Sequence, residues 1–197
     1  MECILSNVLI PNISHIGISD KGRIYPTFLI LTFYNFFSII NIESKKGMII
    51  IRLWHTQLIS ILPRQQLVAQ WREISSIAGA ILKNDALNHM LVNFVLDYPY
   101  DHLISYAYYI RKEMTQRGYR TMDSVWNKIT SLADGKYEIL SIDEVYHNKM
   151  NRFYYKVCLY NLAEKIDCGG ITEEPYKDLI NKELLHEYII HNGRRAR

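Results

Sequence analysis

The chain has 197 residues, 49% hydrophobic and 22% charged, enough for one domain with a real core and too few for two comfortable ones. A formal net charge of +3 without dense basic runs excludes an arm or tail that binds nucleic acid by charge alone, so any such contact must be a local patch. Three cysteines, Cys3, Cys158 and Cys168, without CxxC spacing, exclude a disulfide framework and a cysteine-rich zinc site and point to a reducing, cytoplasmic setting.

From Ile24 to Ile42, "IYPTFLILTFYNFFSIINI" holds no charge, with Lys21 and Arg23 before it and Lys45 and Lys46 after it. That length admits a membrane anchor, but Pro26, Thr32, Asn35, Ser38 and Asn41 and the β-branched and aromatic bias suit a strand or untranslated sequence equally well. Residues 1–47 therefore form an apolar extension with three open readings: a mis-assigned start that the working protein lacks, packed or loose domain sequence, or an anchor. Met48 is a candidate start.

Beyond Met48 the texture becomes helical with interleaved charges. Pro63 suits a first turn, and Leu67, Ile74, Ile77 and Ile81 mark one apolar face of a helix over 63–82. Pro99 can open a second helix, "YDHLISYAYYIRKEMTQRG", which Gly118 can stop with a left-handed cap. A third is predicted over 142–166, with Val145, Phe153, Val157, Tyr160 and Leu162 in phase and Gly169–Gly170 closing it. The last runs over about 175–191 and leads to the basic "GRRAR" end. No strand alternation or repeat follows residue 52, so the expected fold is all-α: a compact single-domain helical bundle over 48–170, with a C-terminal helix and basic tail over 171–197.

Several motifs fail on geometry. "HEYIIH", His186 to His191, spaces its histidines five apart, roughly 140° around a helix, too far to pinch one zinc ion. There is no Gly-rich phosphate loop and no GxSxG elbow, so neither a metal nor an organic cofactor is expected. The 15 tyrosines could stack unpaired bases, yet aromatics at helical spacing usually pack a core. His55 is open between a structural and a catalytic role.

One stretch is more specific. "RLWHTQLISILPRQQLVAQWREISSIAGAILK", residues 52–83, resembles the amino-terminal region of the pyrimidine-dimer DNA glycosylase family, whose phage member is called endonuclease V. That family pairs an arginine beside its amino terminus with a Leu-x-x-Gln-x-Leu-x-Ala-x-aromatic-Arg-Glu run, here Leu62, Gln65, Leu67, Ala69, Trp71, Arg72 and Glu73. Gly79, Ala80 and Lys83 follow in step, and "YDHLISYAYYIRKEMTQRGY" resembles the family's second long helix. The opening Arg-Leu-Trp-His resembles a bacterial branch, and residues 146–166 match that branch more loosely.

The resemblance implies a DNA-repair glycosylase with abasic-site lyase activity on damaged duplex DNA, working as a monomer in the endonuclease V fold. It implies that a backbone α-amine attacks the sugar C1′, which fits an amine whose ordinary pKa is about 7.7 to 8.0 rather than the lysine value of about 10.4. The position matching that amine is Ile51, if the chain starts there, and the family's glutamate matches Glu73. DNA contacts are expected at Arg52, His55, Gln65, Arg72 and Arg117. Two departures stand out: initiation at Met48 would place the amine three residues early, and a family arginine that would contact phosphate is replaced by Ser76. They keep open a second reading, a catalytically inactive helical nucleic-acid-binding module of the same fold.

Overall fold

The computed structural model describes residues 53–83 and 93–193, all within the unit Ile50–Arg197. Residues 24–42, Ile51, Arg52 and the tail from Arg194 lie outside the described residues. Among the described residues there is no strand, and no helix is long and apolar enough to cross a membrane.

Helix α1 spans Arg64–Leu82, and α2 spans Tyr100–Gln116. Each is entered from a proline, Pro63 or Pro99, whose fixed φ suits a helix start and whose missing N–H costs nothing there. The face of α1 predicted from its spacing is the face it buries: Leu67, Ile74 and Ile77 are buried and Ile81 is half-buried. Burial of each of the three contributes about 1.5 to 3 kcal/mol, which outweighs the modest helix preference of isoleucine. They pack against α2, which supplies Leu103, Ile104, Ala107 and Ile110, and against the short α3, Asp123–Thr130. Gly118, at φ 74, ends α2, while the Tyr119 N–H reaches back to the Met114 carbonyl at 2.8 Å.

An extended stretch then crosses α2: the Glu138 N–H donates to Asp101 and the Leu140 N–H to Ser105 Oγ, at 2.8 and 2.9 Å. The helix expected over 142–166 is shorter than its apolar phase suggested, because α4 runs only over Arg152–Asp167. Residues 142–149 are turns, and Tyr146 sits at φ 52, a left-handed conformation that no α-helix continues through. Asn151 then starts the helix, its side chain accepting from the Tyr154 N–H at 3.0 Å. Phe153, in phase with the buried residues, is instead 65% exposed on the first turn. Helix α5, Glu174–Gly193, packs on α4. Buried Glu187 bridges Arg152 and Lys156 at 3.1 and 3.5 Å, and the Tyr155 hydroxyl donates to Glu183 at 2.8 Å. Ile171 and Ile180 join the same core as α1 and α2.

Candidate active site

Residues 53–62 lie against the helices as a short extended run and a 3₁₀ turn, Thr56–Ile61. Leu53, Trp54 and His55 are buried, so each polar group of their backbone must find a partner inside the protein. The Leu53 carbonyl accepts from the Tyr154 hydroxyl. The Trp54 N–H donates to Gln70 Oε1 at 2.9 Å, and the Trp54 carbonyl accepts from the Tyr106 hydroxyl at 2.8 Å. Tyr106 also reaches Gln70 Oε1 at 3.2 Å, and burial drives its pKa well above the usual tyrosine value, which keeps the hydroxyl a donor.

Gln70 is the hinge of this network. Its oxygen takes the Trp54 and Tyr106 bonds, and its Nε2 donates to Glu73 Oε2 at 3.1 Å. One fully buried glutamine therefore ties the backbone three residues after Ile51 to the carboxylate one helical turn further along α1. Glu73 itself is half-buried at the edge of the core, with one side toward solvent.

The other expected site residues divide into two groups. Gln65 and Arg72 are exposed and share the outer stripe of α1 with Ala69 and Ser76, all within about 60° of arc at 100° per residue. Ser76 turns inward to its own helix, its hydroxyl donating to the Arg72 carbonyl at 3.0 Å.

His55 and Arg117 point into the protein. The His55 ring accepts the Gln57 N–H at Nδ1 (3.2 Å) and faces the Met150 carbonyl with Nε2 at 2.9 Å, which assigns the proton to Nε2. It also sits edge-on to Tyr155, with ring centroids 5.2 Å apart, so both nitrogens are engaged within the chain. Burial lowers its pKa below the ordinary value, against the Met150 carbonyl, which raises it.

Arg117 donates to the carbonyls of Ile59, Ser60 and Leu62 at 3.4, 2.8 and 2.6 Å, to Glu113 at 2.7 Å and to the Tyr176 hydroxyl at 2.8 Å. Its plane also lies over the Tyr176 ring, 5.1 Å from the centroid. It is the clasp that closes the 3₁₀ turn onto α2 and α5.

Two residues of the network, Gln70 and Tyr106, were not singled out as site residues in the sequence. A signal for Gln70 existed: it falls in phase with Leu67, Ile74 and Ile77, and a glutamine on an apolar face needs buried partners. Tyr106 has none, since a tyrosine between Leu103 and Ile110 reads as ordinary core. Among the described residues no group of His, Cys, Asp or Glu side chains could hold a metal ion.

Fold and site together define an all-helical domain in which the incoming chain is pinned beside a single helix carboxylate. The family model for pyrimidine dimer DNA glycosylase matches residues 51–127, from Ile51 into α3, so the resemblance read from residues 52–120 holds over that segment. Neither the curated proteins nor the solved structures give a match.

Proposed function

We propose that this protein is a DNA-repair glycosylase with abasic-site lyase activity on duplex DNA carrying pyrimidine dimers or similar damage. The observation that supports it most is the relay from the Trp54 N–H through Gln70 to Glu73, which ties the backbone at Trp54 to a half-buried carboxylate. An α-amine at Ile51 attacks C1′ as the glycosidic bond breaks, and the base leaves with its bonding electrons and takes up a proton. Glu73 stabilises the oxocarbenium-like transition state; the C1′–O4′ bond then breaks, O4′ takes up a proton and stays on C4′ as a hydroxyl, and C1′ is left as an iminium on the amine. Removal of the 2′ proton then expels the 3′ phosphate, and water releases the amine. Arg72 and Gln65, exposed on the same helix, contact the DNA backbone, as does Arg52. His55 and Arg117, whose donors are engaged internally, serve this reading by holding the incoming chain. The protein acts as a monomer without a cofactor in the cytoplasm.

The second reading, a binding module without chemistry, draws on one chemical fact: wherever residue 50 precedes Ile51, the Ile51 nitrogen is an amide, its lone pair delocalised into the peptide bond. Borohydride trapping separates the two. A chain whose first residue is Ile51, mixed with abasic or ultraviolet-irradiated duplex, should give a covalent adduct. Glu73→Gln should slow strand cleavage by roughly 10²- to 10⁴-fold with duplex affinity unchanged or tighter. No adduct from that chain would leave only the binding module standing.

A further inference from the structure

On the flank of α1 turned away from Glu73 lies an open groove of about 600 Å³ between α1, the end of α2 and the start of α3. Its floor includes Trp71, Met114 and Tyr119, and its rim carries Arg64, Arg72 and Arg120, with no acidic residue in its lining. All three arginines are exposed, and among the described residues none has an acidic partner. This contrasts with Arg111, Arg117 and Arg152, each of which is paired with a carboxylate. Three like charges around one concavity repel one another unless an anion shares the space. Arg64 is already oriented, its guanidinium stacked over the Tyr119 ring 5.4 Å from the centroid, so its side chain has less freedom to lose on binding.

We infer that this groove holds a phosphodiester backbone of nucleic acid, with Arg64 and Arg120 as contacts additional to Arg72. The inference rests on the DNA reading above and deepens it: the strand crosses the exposed stripe of α1 at Arg72 and continues away from Glu73 into the groove. Planar guanidinium forks around an aromatic floor suit a sugar-phosphate strand, because each fork can take two phosphate oxygens while the rings cover sugar or base faces. They also supply the positive charge on this flank of α1, where the other polar lining residues, Ser75 and Ser76, are neutral.

The test is a salt titration of duplex binding by the full 197-residue chain, using a fluorescent duplex with a stable abasic analogue and the undamaged duplex. The Arg64→Ala/Arg120→Ala variant should bind both about tenfold or more weakly near 0.1 M salt and lose about two units of the log–log salt slope. Lys182→Ala, which removes one exposed charge on α5, should leave the slope within half a unit, and Arg64→Lys/Arg120→Lys should restore most of it. Melting temperatures within about 2 °C of wild type, expected for exposed sites, keep the comparison about binding. Wild-type affinity and slope in the double alanine variant would overturn the groove and leave the DNA reading intact. Failure of the wild-type chain to bind either duplex would overturn that reading, and the groove with it.

Discussion

The two faces of α1 treat their polar side chains in opposite ways. Gln70 and Glu73 lie where the helix meets the incoming chain, and the Gln70 amide bonds to Trp54, Tyr106 and Glu73, neighbours that the fold has brought there. Gln65 and Arg72 stand on the outer stripe, exposed, and Arg72 has no acidic partner among the described residues. The same contrast separates two arginines that the sequence marked alike: Arg117 is saturated by carbonyls and a carboxylate, whereas Arg72 opens to solvent. A buried polar group must be satisfied from within, so it reports on architecture, and an unpaired exposed cation is available to a ligand.

The largest effect should come from the arginine pair. Arg117→Ala leaves the carbonyls of Ile59, Ser60 and Leu62 and the Glu113 carboxylate without their donor, and should cost about 3 kcal/mol in denaturant unfolding. Arg72→Ala should stay within about 0.5 kcal/mol of wild type and weaken duplex binding instead. Equal stability losses in the two variants would erase the distinction between the faces.

Tyr106→Phe sharpens the comparison at the buried face. It removes one hydroxyl that serves both the Trp54 carbonyl and Gln70, at an expected cost of about 1 to 2 kcal/mol. Because the incoming chain is then held less firmly beside Glu73, strand cleavage should slow while duplex affinity holds. Unchanged cleavage would mean that the network only supports the fold.

His55 supplies the smallest effect, visible only against pH. Its folded pKa is lowered by burial, so its contribution is fully present above the unfolded value of 6.5 and is lost as pH falls through the folded one. Protonation at Nδ1 would also remove the acceptor for the Gln57 N–H. The stability difference between wild type and His55→Asn, followed by thermal melting, should therefore shrink from pH 8 to pH 5. A constant or growing difference would contradict the buried neutral ring.

The parts of the molecule legible in the sequence are those set by local chemistry. Pro63, Pro99 and Gly118 fix the ends of α1 and α2, and the heptad-like spacing from Leu67 to Ile81 fixes the buried face. The start of α4 was illegible because it depends on Tyr146 taking a left-handed backbone, which tertiary contacts impose and a tyrosine does not advertise. Helix α3, eight residues long, is too short for periodicity to separate from loop. At the site, the resemblance marked Arg117 as a DNA contact. It did not distinguish binding to backbone carbonyls from binding to phosphate, since a guanidinium offers both the same planar donors. Gln70 was legible only as a polar residue out of place on an apolar face.

In the proposed chemistry the nucleophile is the backbone amine of Ile51, and Glu73 is the carboxylate that serves it. Borohydride trapping on DNA fixes the sugar to whichever nitrogen attacked it, and that nitrogen can be identified. The chain beginning at Ile51 should be trapped on abasic duplex, digested and mapped by mass spectrometry. The reduced adduct should lie on the α-amine of the first peptide. An adduct on a lysine, or one formed equally well by the full chain with Met1 in place, would show that another amine is the nucleophile and contradict the assignment.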